Sequence, residues 1–541
     1  MNAQERDDTP YVVIALTPQR RKSSLVSRTL VDTDSVTIKH RASAHPAPAL
    51  RLLPEILAVV FSLHADANPT NPDRNGTIPE GMTPTQFRLG WITITHVCSH
   101  WRQVALDHST LWTRHRFNIG LEWTSEMLRR ARGAPLSLIF SEERVPFPPS
   151  EDDAANVIPQ LLHRVSSLTI EEGACTGAVL DALTLPAPLM VSLTISSSRF
   201  AVLPQSLFAG IVPNLHHLFL SNALPTWTSV ALTCLKSLSI TIDRHTDSSN
   251  IPSYADLFSA LQEMHNLESL LLMGCIPLGS FPCHLEEKVK LPNLRHLFLS
   301  CHVQGFRQVL EHLDFPPETI MRGTCVTDDM TGKECCDILP LLMSYLPRPS
   351  LETLYVSWGS RFDRIFHIRG YSTSHEDDSS GKPSFFLEGI RCVDIGFQFK
   401  FLLWSAEQKI RILKTVFGAL PTEELRILDG KLDLGKDAWS EIFGDHQELR
   451  HVRVCSLSTL QSFIPFLGRD GVYPQLVSLT LRDVDLSPKR GAAVSLMEKL
   501  KTGRPPKLNK VYIENCRIKG DLVDWMRAAI GDIEIEWDEM E

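Results

Sequence analysis

No stretch of this chain approaches the ~20 consecutive apolar residues that would span a bilayer. Nor does it open with a basic start and an apolar run: Met1 to Pro10 carries Glu5, Asp7 and Asp8, and the aliphatic run from Tyr11 to Leu16 is short. Entry into the secretory route is therefore not expected, and the sequon Asn75-Gly76-Thr77 should stay unmodified. Basic excess is also missing. A net charge of −9 argues against wide nucleic-acid binding, which needs a basic footprint. The 12 cysteines are scattered, and 541 residues are far too many to need disulfide staples. They read as reduced thiols of a protein that is cytoplasmic, nuclear or both.

Motifs of chemistry are scarce as well. His96 and His100 have the i, i+4 spacing of a zinc protease helix, but Val97 stands where the general base would be. Cys283-His284, Cys301-His302 and Cys335-Cys336 lack the paired spacings of structural zinc sites. Gly381-Lys382-Pro383-Ser384 has the end of a phosphate loop without its earlier glycine, since Glu376 occupies that place. Neither Gly-x-Ser-x-Gly nor a glycine-rich dinucleotide motif occurs. No catalytic residue, metal ligand or cofactor is assigned, and the chain is expected not to be an enzyme.

What is present is a chain of ordinary foldable composition, 43% hydrophobic and 22% charged, too long for one ordinary core. Residues 1–49 have weak periodicity and a basic cluster at Arg20-Arg21-Lys22, as in a disordered arm. The pattern changes at Leu52. Pro54 suits a first helical turn, Glu55 suits its positive end, and Ile56, Leu57, Val60 and Phe61 follow at helical spacing. Four prolines and two glycines mark a loop over 65–85. A second helical stripe follows at Val97, Trp101, Val104 and Ala105.

From about residue 160 a hexad takes over, with aliphatic residues at its first, fourth and sixth positions. Eleven copies begin at Val165, Met190, Leu215, Leu235, Leu267, Leu294, Leu351, Ile390, Leu449, Leu476 and Leu508, with a degraded copy at Leu425. Most intervals lie near the ~20–29-residue period of leucine-rich repeats. Each hexad predicts a short strand whose aliphatics stack on those of the next repeat, since no single repeat can bury that face alone. Cys275 and Cys516 fall three residues past the last aliphatic, where such repeats place Asn or Cys, and are expected to be structural thiols. A polar insertion over 370–384 predicts a loop. The alternation Ile533, Ile535, Trp537 predicts a closing edge strand.

Leu53-Pro54-x-Ile56-Leu57, Val97-Cys98-x-x-Trp101-Arg102 and Leu111-Trp112, in that order, resemble the F-box. The whole chain resembles the F-box proteins with C-terminal leucine-rich repeats that are numerous in fungi. The resemblance implies an α/β fold: a small helical F-box-like module at 50–116, a connector and first cap at 117–160, and over 161–541 an irregular solenoid with a parallel inner sheet. It implies the substrate-receptor subunit of an SCF ubiquitin ligase. Leu53, Pro54, Ile56, Leu57, Val97, Cys98 and Trp101 would face a Skp-type adaptor and, through it, cullin. The 21-residue insert departs from the compact family pattern.

Period-two alternation in the repeat strands points His217, Phe219, His296, Phe298, Tyr355, Asp394, His451, Arg453, Lys510 and Tyr512 toward the concave face, where an unknown client protein would bind. No nucleic acid or membrane is expected as a partner. Two rivals stand beside this reading. One is a non-catalytic leucine-rich-repeat scaffold with no ubiquitin role, whose first helices only cap the solenoid. The other is an enzyme with a site assembled by insertions near 301–350 or 370–384.

Overall fold

The computed structural model describes residues 52–68, 89–116, 121–140, 151–243, 251–277, 288–329, 331–345, 353–358, 365–371, 392–399, 405–419, 427–431, 438–443, 447, 449–467 and 473–539. The arm at 1–49, most of the Pro-rich insert and most of 370–384 lie outside them. So do Cys283 and His284.

Every hexad begins at, or two residues before, a strand. The strands are β1 (Arg114–Arg116), β2 (Leu136–Phe140), β3 (Val165–Ile170), β4 (Ser192–Val202), β5 (His217–Leu224), β6 (Ser237–Thr241), β7 (Ser269–Met273), β8 (Val289–Lys290), β9 (His296–His302), β10 (Leu313–Asp314), β11 (Ile320–Thr327), β12 (Thr353–Trp358), β13 (Ile365–Tyr371), β14 (Cys392–Phe399), β15 (Ile427–Lys431), β16 (His451–Val454), β17 (Ser478–Arg482), β18 (Lys510–Glu514) and β19 (Glu534–Trp537). Among the described residues 17 of them join one sheet, and β8 pairs with β10 apart from it.

From β1 through β7, then β9 and β11, each strand lies parallel to the one before. The last five, β15 to β19, are parallel too. In register, Leu168, Leu193, Leu218, Leu238, Leu270 and Leu297 form one buried ladder, with Ile170, Ile195, Leu220, Ile240, Leu272 and Leu299 beside it. Each such side chain contributes about 1.5–3 kcal/mol when shielded from water, which is why the repeats stack.

The sheet is not parallel throughout, contrary to the expectation. Between β11 and β15 the spatial order runs β14, β13, β12, and β13 is antiparallel to both its neighbours. Gly370 and Tyr371, expected in a loop, close β13. The helices Lys333–Ser344 and Ala406–Gly418 carry the chain out of β11 and into β15. Capping boxes start two of the helices: Ser253 with Asp256, and Ser405 with Gln408.

The expected connector at 117–160 is already within the repeat array. It holds the helix Leu121–Ala131 and strand β2, and β1 brings the end of the expected helical module into the sheet. The Pro-x-Leu turns ahead of the strands are tied by Asn: Asn214 Nδ2 donates to the Pro188 carbonyl at 2.8 Å, and Asn293 Nδ2 to that of His265 at 3.0 Å.

Cys275 and Cys516 are buried, and burial pushes their thiols up to about 12 and about 11. Cys516 Sγ donates to the Leu481 carbonyl at 3.3 Å, so this thiol ties one repeat to the previous one. Gly274, beside Cys275, has φ +70, and a Cβ there would collide with the Ile242 carbonyl.

His115, in the middle of β1, is buried. Burial first, and then the Arg164 charge, lower its pKa to about 4, and neither ring nitrogen has a hydrogen-bond partner. Between about pH 6.5 and 4 the unfolded chain binds a proton that the native chain refuses. Stability should therefore fall on acidification through that window, by about 3 kcal/mol from this group alone. A His115→Gln chain should lose less stability than wild type between pH 7 and 4.5 in paired urea melts. Equal losses would mean that His115 is not held neutral.

Candidate functional site

The helix Pro54–Ala67 is apolar on two sides. Leu53 precedes it in extended conformation, Pro54 opens it, and Leu57 N closes the first turn onto the Leu53 carbonyl at 3.0 Å. Leu57 and Phe61 are buried, and Phe61 packs on Trp101 with ring centroids 5.2 Å apart. One step round the helix, Leu53, Ile56, Val60 and Leu63 form a row at i, i+3, i+7 and i+10, with Val59 beside it. All five are exposed, Leu53 and Leu63 by 64% and 65%. At 100° per residue the row covers one continuous side. A helix apolar all round is normally buried all round.

Behind it the chain folds into a 3-10 turn, Gly90–His96, the helix Ser99–Asp107 and a last turn, Ser109–Trp112. Trp91, Ile94, Val104, Ala105, Leu111 and Trp112 are buried. Across the Pro-rich insert, Trp91 N donates to the Asn68 carbonyl at 2.8 Å. The two ends of the insert are thus tied together, and its length does not force the helices apart.

The seven expected adaptor-facing residues divide. Leu53, Pro54, Ile56 and Val97 are exposed. Leu57 is not available to a partner, because its row faces the core while Ile56, 100° away, faces solvent. Cys98 is half-buried and caps the second helix, its sulfur accepting from Trp101 N at 3.4 Å. Trp101 is half-buried against Phe61. Sequence reasoning passed over Val59 and Leu63, although their spacing from Leu53 and Ile56 was a legible signal.

On the outward face of the sheet, His217, Phe219 and His296 are exposed and Phe298 is half-buried. The side chains of Tyr355 and Asp394 lie outside the described residues. Arg453 and Tyr512 do not fit the expectation of exposure, being buried, with Arg453 only 3% exposed. Register places Arg453, Thr480, Tyr512 and Glu536 side by side, and Arg453 Nη2 lies 3.6 Å from Glu514 Oε2. Long neighbours crowding one row cover what alternation alone would expose. His451 is half-buried, as is Lys510, whose Nζ lies 3.3 Å from Glu534 and 3.6 Å from Glu536.

Ser478 Oγ and His451 Nδ1 stand 2.7 Å apart, a contact of nucleophile–base type, but Ser478 is buried from any substrate. The segment expected as an insertion near 301–350 is instead a repeat with its own strand, β11, and two helices. A cleft of about 430 Å³ at the starts of β6, β7 and β9 sets Lys236 and Arg295 among Glu268 and Glu318. Lys236 Nζ lies 4.0 Å from Glu268, as in a solvated ion-pair cluster. Among the described residues, no group of three or more His, Cys, Asp or Glu could hold a metal ion, and no helix is long and apolar enough to cross a membrane.

No protein-family model matches the chain, and no curated protein matches it. A solved structure of a leucine-rich-repeat protein from Leptospira interrogans aligns with 78% of this chain and 99% of its own, at 12% identity and a TM-score of 0.25. That likeness carries no weight beside the strands themselves. The stacked parallel strands and their hexads make the repeat region a leucine-rich-repeat-like α/β fold.

Proposed function

We propose that this chain is a substrate receptor of an SCF-type ubiquitin ligase. The opening helix docks on a Skp-type adaptor, the adaptor links it to cullin, and the repeats hold a client protein. The observation that carries this is the second apolar side of the helix Pro54–Ala67. A helix that only capped the array would need one apolar side, and Leu57 and Phe61 already provide it. Five further aliphatics left in water favour a partner that covers them, at about 25 cal/mol per Å² of apolar surface removed from solvent. A groove that accepts one helical face is a known way of binding such a row. The reaction would belong to the partners, in the cytoplasm, the nucleus or both.

The test is co-elution of the full chain with a purified Skp-type adaptor on size exclusion. A one-to-one complex is expected at micromolar concentration. Separate elution at tens of micromolar would overturn the reading and leave an interaction scaffold with no ubiquitin role.

A further inference from the structure

A long segment of this chain is nearly without charge. From residue 182 to residue 242 there is no Asp or Glu, and Arg199 and Lys236 are the only Lys or Arg, in a sequence that carries 63 acids over 541 residues. The segment includes the turns that lead into β4, β5 and β6.

Those turns stack. Phe208 N donates to the Leu183 carbonyl at 2.7 Å and Ala187 N to that of Ile211 at 3.2 Å, which joins the first turn to the second. Leu207–Gly210 of the second packs on Val230–Leu232 of the third. At matching places, five, four and five residues before the first aliphatic of each hexad, stand Leu185, Ile211 and Val230. All three are exposed, Ile211 by 53% and Val230 by 67%, and Leu189 is exposed in the first turn as well. In later repeats that place, four residues before the hexad, holds exposed Glu263, Lys290 and Arg504. In the second turn Phe208, Ala209 and Gly210 have φ of 53, 52 and 70. For the first two, left-handed backbone costs about 1–2 kcal/mol each, and it leads into Ile211, an aliphatic held in water. Strain and exposed aliphatics thus fall on one ridge, none of it on a strand or on the helix Pro54–Ala67.

We infer that this ridge is a self-association surface and that its occupant is the same ridge of a second copy of this chain. A two-fold contact sets a surface against itself, so a patch of one charge would repel its own image, while a neutral aliphatic patch does not. With a net charge of −9, two copies repel over most other approaches, and the acid-free ridge is where they meet at least cost. In that arrangement Ile211 meets its own counterpart, and Leu185 of one copy meets Val230 of the other. A lipid surface fits less well, because an anionic bilayer draws clusters of Lys and Arg, and these turns carry none. A few aliphatics are little beside the roughly 20–30 residues a side of a standard interface, so the dimer is weak, with a micromolar Kd. It forms whether or not the chain binds an adaptor.

The test is sedimentation velocity of the full chain across the micromolar range. A reversible monomer–dimer equilibrium is expected. It should not weaken as salt rises, since screening removes repulsion and leaves the apolar contact. An Ile211→Asp/Val230→Asp chain sets like charges against each other and should dimerise at least tenfold more weakly, while still co-eluting with adaptor. If circular dichroism shows a lowered melt, the neutral Ile211→Ser/Val230→Ser chain makes the same comparison. An Ile56→Asp/Leu63→Asp chain should dimerise as wild type does. A monomer throughout, a dimer untouched by the ridge variants, or a dimer lost in Ile56→Asp/Leu63→Asp instead would overturn the inference. So would pelleting with phosphatidylcholine–phosphatidylserine vesicles that the ridge variants abolish, which would assign the ridge to a lipid surface.

Discussion

An Ile56→Asp/Leu63→Asp chain is expected to lose its complex with a Skp-type adaptor while melting within a few degrees of wild type. Both positions lie on the exposed row, so in the free chain the new carboxylates stay in water. Asp in a helix interior costs only about 0.5–0.7 kcal/mol at each position. In the complex the same carboxylates would be buried against an apolar groove. An uncompensated buried charge costs about 3–5 kcal/mol, which lowers affinity more than 100-fold. Leu57→Ala should do the reverse. It empties a fully buried site in the next row, at a cost of about 2–5 kcal/mol, without touching the exposed row. If the double variant still binds, or if it unfolds, the two rows do not have the roles assigned to them.

Trp112→Ala should uncouple the helical segment from the repeats. Trp112 is fully buried, and its Nε1 donates to the Ala105 carbonyl at 2.8 Å. Its ring meets Trp91 edge-on at 4.9 Å, and the Arg130 guanidinium of the next helix sits 4.3 Å from its centroid. Truncation removes the ring, leaves a cavity and ends the cation–π contact, a loss of about 3–5 kcal/mol, while Arg130 keeps its 2.8 Å ion pair with Glu126. In a stacked array stability is a sum of unit and interface terms. The loss should therefore appear as a separate early melting step confined to the first units. Calorimetry with hydrogen exchange would show it as lost amide protection over Pro54–Ala67 and Ser99–Asp107, with β16 to β19 still protected. One unchanged transition would mean that Trp112 does not hold the joint.

The hexads were legible because each carries three aliphatics at fixed spacing, and the copies reinforce one another. Several strands carry no hexad, and β11 and β2 show two different reasons. In β11, Gly323 stands where Leu299 stands in β9, and a Cβ there would collide with the Leu299 carbonyl and meet Phe306 at 2.8 Å. The Phe306 ring fills the space, so the missing aliphatic comes from a helix. In β2 the register shifts between Leu136 and Ser137, which shortens the spacing by one residue. The inversion of β12 to β14 left no trace, because Phe366 and Ile368 of β13 alternate like those of any other strand.

The opening helix was legible as a helix, but its two sides were not. Ile56 and Leu57 are equally apolar, and only the packing of Trp101 and Phe61 decides which one is buried. Likewise, alternation places Arg453 on the outward face, yet it cannot see that Glu514 pairs with it there.

The most direct measurement is hydrogen exchange of the full chain with and without saturating adaptor. Protection should appear in the helix from Leu53 to Leu63 and at the turn around Val97, with β16 to β19 unchanged. Protection confined to the repeat strands, or none at all, would contradict the assignment of the exposed helical row as the docking surface.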